Sequence, residues 1–421
     1  MSSQFSLSRR RFLTASSLAL GTGVLASCGG AGTGASDTVK VGSYQSDDVP
    51  KKAFAEMLKA FKDGKVEINT MQHETFKEGI NNYLQGNPDD VFTWFAGYRA
   101  RYFAERGLVG DLSDVWANIK GMPESMKVAS TALDGKQIFV PSTYYPWAVF
   151  YRPSLFKEKG YSEPKTIDEW MTLNEKMKSD GLTPIGFADK DGWEAMGTFD
   201  MLNLRVNGYD YHVSLLSGKE AWDSAQVKKV FKLWEELMPY HEADSLGRTW
   251  QEAAQGLIQN RTGTYLMGMF VQQQFAAANI ADDLDFFVFP EADAAIGAKV
   301  VEAPIDGFMM ASKPKNPELA KKLLGYLATP EAVAYTVKAD PSVIAANSDA
   351  DQSSYNALQK KAVKVIEEAE AISQFFDRDS RPDFASTVVG PALQSFIKNP
   401  ADIDSILKSV EEQKKSIFGK E

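Results

Sequence analysis

The end of one apolar run shows the chemistry open to this chain. Asp90-Val-Phe-Thr-Trp-Phe95 is followed, after Ala96 and Gly97, by Tyr98 and Arg99, which with Trp94 bring two large rings and a planar cation to one strand end. Such rings combine wide apolar faces with a polar tip, while guanidinium, carboxylate and amide groups read donors and acceptors at a ligand's rim. The combination suits noncovalent recognition of a flat-faced, hydroxyl-rich molecule. Trp193 is of the same class: it stands in the polar loop Asp189-Lys-Asp-Gly-Trp193, where a large aromatic side chain is hard to assign to a core. Asp306 interrupts the apolar stretch 301–311, where a charge is costly unless paired or facing a wet cleft.

Signals for bond-making chemistry are thin. His73, His212 and His241 are far apart and lack the spacing of metal ligands, so no metal and no cofactor is expected. No Gly-x-Ser-x-Gly elbow and no phosphate-cradling glycine loop occurs. Cys28 is the sole cysteine, so stability must come from apolar burial rather than an internal disulfide. The net charge of −10 over 421 residues repels phosphates and argues against nucleic acid as a partner.

The first residues read as an export signal. Arg9, Arg10 and Arg11 precede an uncharged, mostly apolar run from Thr14 to Leu25, too short to span a bilayer, and then Leu25-Ala-Ser-Cys28. Ser-Arg-Arg-x-Phe-Leu resembles a twin-arginine signal, and Leu-Ala-Ser-Cys resembles a lipoprotein box. These resemblances imply a signal peptide over 1–27 and lipidation of Cys28, placing the protein on the outer face of the cell membrane. Loss of 1–27 removes three arginines and no acid, leaving a net −13. Residues 28–36, rich in Gly, Ala, Ser and Thr, read as a flexible tether.

Beyond the tether, strands and helices alternate. Val39–Tyr44, Val66–Met71 and Asp90–Phe95 read as strands, separated by a helix over about 50–61 and one from a capping box at Thr75 and Glu78 to Gln85. Trp147–Tyr151 resumes the pattern, followed by a helix capped at Thr166 and ending by Gly181. Further strands are expected at 185–188, 264–269 and 285–289, and one long strand over 301–311. Asn316-Pro317 and Thr329-Pro330 each open a helix, and Thr249 and Glu252 form a capping box. The last 65 or so residues are mostly helical, interrupted at 375–382. This order predicts an α/β fold with open sheets, and the length argues for two domains.

The motifs Asp89-Asp-Val-Phe-Thr-Trp-Phe-Ala-Gly-Tyr-Arg99, Thr143-Tyr-Tyr-Pro-Trp-Ala-Val-Phe-Tyr-Arg152, Gly263-Thr-Tyr-Leu-Met-Gly268 and Asn316-Pro-Glu-Leu-Ala-Lys-Lys-Leu-Leu324 stand in a telling order. Together they resemble the extracellular solute-binding proteins of carbohydrate ABC transporters, over nearly the whole chain after the signal. The resemblance implies a two-lobe, type II periplasmic-binding-protein fold with the ligand cleft between lobes. Its landmarks put lobe 1 at 37–146 plus 303–348 and lobe 2 at 147–302 plus 349–421. It implies a monomer that binds a mono- or oligosaccharide by lobe closure and delivers it to membrane permease subunits, with no enzymatic step. An extracellular glycoside hydrolase, drawing its acids from Asp189, Asp191, Asp306 and Asp379, and a binding protein for another solute are the alternatives.

A sugar offers weakly polar C–H faces and a hydroxyl rim, so a site needs rings and planar polar groups. The resemblance places a stacking ring at Trp94, an arginine at Arg99 beside Tyr98, polar contacts among Gln45, Asp47 and Asp48, and an aromatic platform at Met269 and Phe270. The family's acid next to Trp94 is replaced here by Gly97. Tyr144 and Tyr145 fall at the crossing between lobes, and Trp193 and Asp306 complete the rim. Asp379 and Arg381 stand where the family offers another ligand side chain; alternatively the run 378–382 is a self-contained salt-bridged turn.

Overall fold

The computed structural model describes residues 37–419. The readings of residues 1–36 as signal and tether, with Cys28 as lipidation site, lie outside the described residues. The strands are β1 (Thr38–Ser43), β2 (Lys65–Thr70), β3 (Val91–Phe95), β4 (Val140–Tyr144), β5 (Trp147–Tyr151) and β6 (Thr183–Gly186). They continue as β7 (Thr262–Gly268), β8 (Asp285–Phe287), β9 (Val300–Glu302), β10 (Ile305–Met310), β11 (Ile344–Ala345) and β12 (Ala371–Ser373).

Six strands form one sheet in the order β11-β4-β10-β3-β1-β2. β1 runs parallel to β2 and β3, as alternation of strand and helix dictates, while β10 is antiparallel to β3 and β4. Helices cover both faces. Val39, Val41 and Val91 pack with Phe54 and Met57 of helix Asp48–Lys59 and with Leu319, Leu323 and Leu324 of helix Pro317–Leu327. The other face buries Phe92 and Trp94 against Phe76 and Ile80 of helix His73–Gln85 and Phe103 of helix Tyr98–Glu105.

A second sheet has the order β6-β7-β5-β8, and β9 and β12 form a parallel pair of their own. Its surroundings include the C-terminal helices: Phe396 meets the rings of Phe231 and Trp234 at 4.9 and 5.1 Å. The first sheet passes to the second through Tyr145 and Pro146, the two residues between β4 and β5.

Most elements form where periodicity and caps put them. Thr166, Thr249, Asn316 and Thr329 each accept the expected backbone N–H, and Thr249 with Glu252 makes the full capping box. Two expectations fail for local reasons. Helix His73–Gln85 is capped by the Gln72 side chain, which accepts from Thr75 N, so the helix begins a turn before the Thr75–Glu78 box. The long strand over 301–311 is two strands, β9 and β10, parted at Ala303 and Pro304, because proline lacks the N–H that a continuous ladder requires.

Candidate functional site

The ends of both sheets open on one cavity of about 230 Å³. One part of its wall is aromatic. Trp147 begins β5, Trp250 begins the helix Trp250–Ile258, and Phe270 follows β7 by two residues. Trp193 meets Trp147 at 90° and 6.3 Å, while Phe270 meets Trp250 at 80° and 5.0 Å and Tyr145 at 88° and 5.5 Å. These edge-to-face contacts are favourable for ring quadrupoles, and they fix each ring by its neighbours.

The facing wall is polar and comes from strand ends and helix starts. Asp306, on β10, receives the Tyr44 hydroxyl at 3.0 Å and Arg378 Nη1 at 3.0 Å. Arg378 also reaches the Tyr145 hydroxyl at 3.3 Å through Nη2 and lies 4.6 Å from the Phe95 ring centroid. Burial works against the Arg378 charge, but Asp306 and the two tyrosines outweigh it and hold the guanidinium more firmly protonated than usual. Burial raises the Asp306 carboxyl, against the opposing pull of Arg378. The pair is therefore an oriented, largely dry ionic group with edges left for a ligand.

Helix His73–Gln85 brings its first turn to the same wall. Lys77 Nζ lies 2.9 Å from Glu74 and 3.0 Å from Asp377. Burial disfavours charge on Asp377, yet Lys77, Arg99 and Arg378 hold its carboxyl below the ordinary value. His73 packs its ring 4.7 Å from that of Tyr44, and burial, with Lys77 and Arg378 nearby, drives its pKa down to about 3. The histidine is thus a neutral donor–acceptor at physiological pH. Among the described residues no cluster of His, Cys, Asp and Glu could hold a metal ion.

The cavity gathers Gln45, Asp47, Tyr145, Trp193, Phe270 and Asp306 from the residues singled out in the sequence. Eight others do not line it. Trp94 is fully buried: in β3 it shares the inner face with Phe92, stacks on Phe95 at 4.2 Å and packs on Phe103. Its neighbour Phe95 meets the cavity instead. Arg99 turns away to lie over Trp94 and to donate to the Lys77 carbonyl at 2.7 Å. Tyr98 gives its backbone N–H to Asp379 at 2.9 Å, and Asp379 also faces Arg101 at 3.6 Å. Arg381 pairs with Asp383, two residues on, at 2.8 Å. Met269 is enclosed in the core, Tyr144 ends β4 between β10 and β11 and packs against the core, and Asp48 is exposed at the start of its helix.

The 378–382 run is not self-contained, since Arg378 reaches across to Asp306. Of the acids a hydrolase would draw on, Asp191 and Asp306 line the cavity, and Asp189 and Asp379 do not. Gly97 has a structural cause in the same region. Its φ of 116° suits glycine, and a Cβ there would come within 2.5 Å of the Arg378 carbonyl oxygen. The segment holding Arg378 occupies the space an acid would need.

Several wall residues escaped the sequence reading: Tyr44, His73, Lys77, Trp147, Trp250, Asp377 and Arg378. His73 and Lys77 had a usable signal, since they open the helix directly after β2, where α/β sheets meet ligands. Asp377 and Arg378 lie in the same helix break as the chosen Asp379 and Arg381, and sequence alone does not orient a four-residue turn.

No helix among the described residues is long and apolar enough to cross a membrane. A solved structure of the bacterial solute receptor AcbH is 43% identical, covers 90% of this chain and 99% of its own, and superposes with a TM-score of 0.88. That receptor is described as having an exclusive substrate preference for β-D-galactopyranose. An ABC transporter extracellular-binding protein of Pyrococcus horikoshii is 27% identical over 68% of this chain and 65% of its own length. A probable sugar-binding periplasmic protein of Mesorhizobium japonicum is 23% identical over 65% of this chain and 66% of its own. The chain thus spans just under two thirds of these two relatives. The two-lobe α/β architecture is common to this chain and the AcbH structure. The model of the bacterial extracellular solute-binding protein family matches residues 46–334, most of the chain, and this protein belongs to that family.

Proposed function

We propose that this protein captures a neutral hexopyranose of the galactose type and delivers it to the membrane subunits of an ABC importer. The observation that carries the reading is the opposition of two walls in one cavity. Rings of Trp147, Trp193, Trp250 and Phe270 face the fixed Tyr44–Asp306–Arg378 array. The rings cover C–H faces, and the array offers donors and acceptors at fixed positions to hydroxyls. The cations of the wall are already matched, Lys77 by Glu74 and Asp377 and Arg378 by Asp306, which disfavours an anionic ligand. The likeness to a galactopyranose receptor at 43% identity supports the choice of sugar.

The ligand residues in this reading are Gln45, Asp47, Tyr145, Trp193, Phe270 and Asp306, joined by Tyr44, His73, Lys77, Trp147, Trp250, Asp377 and Arg378. The lobes are 37–146 plus 303–348 and 147–302 plus 349–421, and they close on the sugar as differential contacts favour the closed state. The protein acts as a monomer, makes and breaks no bond, and is tethered outside the cell membrane by lipid on Cys28. Isothermal titration and thermal melting against a sugar panel test the reading. Galactose at 100 times its Kd adds about 2.7 kcal/mol of stability. A folded protein that neither binds nor is stabilised by any sugar of the panel overturns it.

A further inference from the structure

Behind the turn that carries Asp377 and Arg378 lie two acids that line no part of the cavity. Asp200 stands in the helix Glu194–Asn207 and Glu302 ends β9. Both are fully enclosed, and their carboxyl groups are hydrogen-bond partners. Asp200 Oδ2 accepts the Phe376 N–H at 2.7 Å, the first backbone donor of the turn Phe376–Asp379. Glu302 lies four residues before Asp306. The contact thus ties together, one step behind the Asp306–Arg378 pair, the two chain segments that deliver its members.

The proton count follows from the donors. Asn207 gives its amide hydrogens to the Gln226 carbonyl and to Asn203 Oδ1, at 3.2 and 2.8 Å, so Asn203 turns its own NH2 to His212 Nδ1 at 2.9 Å. Burial drives the His212 pKa down to about 3, and the neutral ring therefore carries its hydrogen on Nε2, 3.7 Å from Asp200 Oδ1. Asp200 accepts one N–H and faces a second, whereas neither oxygen of Glu302 has an N–H donor. Two adjoining carboxyls in an enclosed site do not both ionise, so one proton belongs to the pair and sits on Glu302. The surrounding charges agree. Burial raises both carboxyls. The Phe376 N–H and Glu302 pull Asp200 back down against Asp377 and Asp379, and Asp200 pushes Glu302 further up against Arg378. Arg205, whose Nε and Nη1 are bonded to the Phe289 and Val300 carbonyls, meets Glu302 only as a charge through space.

We propose that Asp200 is a positioning residue for sugar capture: kept a carboxylate by the proton on Glu302, it holds the Phe376–Asp379 turn so that Arg378 keeps its place on Asp306 and its free edge toward the ligand. The proposal rests on the reading of the cavity as a sugar site.

Titration calorimetry with galactose and infrared difference spectroscopy on full-chain variants test this. Asp200→Asn keeps an acceptor for Phe376 and should bind within about threefold of wild type. Asp200→Leu has the same branching and no acceptor; it should bind at least about tenfold more weakly while still melting cooperatively. Glu302→Gln replaces the shared proton by an amide N–H to Asp200. It should bind within about threefold, and its spectrum should lack one protonated-carboxyl C=O band that wild type shows at neutral pH. A folded Asp200→Leu protein less than tenfold weaker overturns the proposal and leaves the sugar site standing. So does an Asp200→Asn or Glu302→Gln protein beyond threefold, or a Glu302→Gln spectrum that retains the band. If Asp200→Leu does not fold, the other two variants decide. Failure of every sugar in folded wild type overturns the reading of the cavity and the role of Asp200 with it.

Discussion

Arg378 Nη1 stands 3.0 Å from Asp306 Oδ1, joining a short helical turn near the C-terminus to the middle strand of the first sheet, 72 residues earlier. Both side chains are largely removed from water, so each is the other's main compensation. Arg378→Ala leaves the Asp306 carboxylate with only the Tyr44 hydroxyl and the bulk of its burial cost. The expected loss is about 3–5 kcal/mol of stability, with sugar binding abolished. Urea unfolding and titration calorimetry of the variant measure the two effects.

Trp94 and Trp193 should respond oppositely to the same substitution. Trp94→Ala opens a hole in a packed core and is expected to cost about 3–5 kcal/mol of stability. Trp193 is half-buried at the cavity wall, so Trp193→Ala should spare most of the melting temperature and weaken sugar binding by about 1–2 kcal/mol, roughly fivefold to thirtyfold. Paired melting curves and binding isotherms separate the two roles.

Gly97→Ala adds one methyl group at a position of positive φ against the Arg378 carbonyl. The strain and the clash together predict a loss of about 1–3 kcal/mol, and a displaced Arg378 predicts weaker sugar binding as well. Denaturant midpoints beside affinities check both; an unchanged affinity would show that Arg378 keeps its place.

Asp189 lies outside the cavity, fully buried, and burial raises its pKa to about 7, although Ala195 N–H donates to it at 2.9 Å. Its unfolded value is near 3.9. Between these values the folded chain holds a proton that the unfolded chain has lost, so wild-type stability from this group is present at low pH and falls as pH rises. The full effect is about 4 kcal/mol by pH 7. Asparagine does not titrate, so Asp189→Asn should gain on wild type steadily from pH 4 to pH 7. Melting temperatures of the two proteins across that range give the difference directly.

What could be read from the residues followed physical legibility. Asp306 stood out because a carboxylate inside an apolar strand demands a partner, and Trp193 because an indole in a polar loop has no core to join; both line the cavity. Trp94 misled because a strand end presents alternate residues to opposite faces, and residue type does not say which face is wet: Phe95 meets the cavity, one position on. Pro304 was a visible mark of the break between β9 and β10 that the apolar run concealed. The Lys77–Asp377 pair was beyond reach, since its members are 300 residues apart and each alone resembles a surface charge.

The rings of the cavity wall lean on one another rather than on a ligand. Trp193 abuts Trp147, and Phe270 sits between Trp250 and Tyr145. An arriving molecule consequently meets a surface already frozen in shape and is spared the cost of about 0.5–1.5 kcal/mol for each side chain it would otherwise have to immobilise. The same bracing means that trimming any one of these rings loosens its neighbours, so their individual contributions to affinity will not sum.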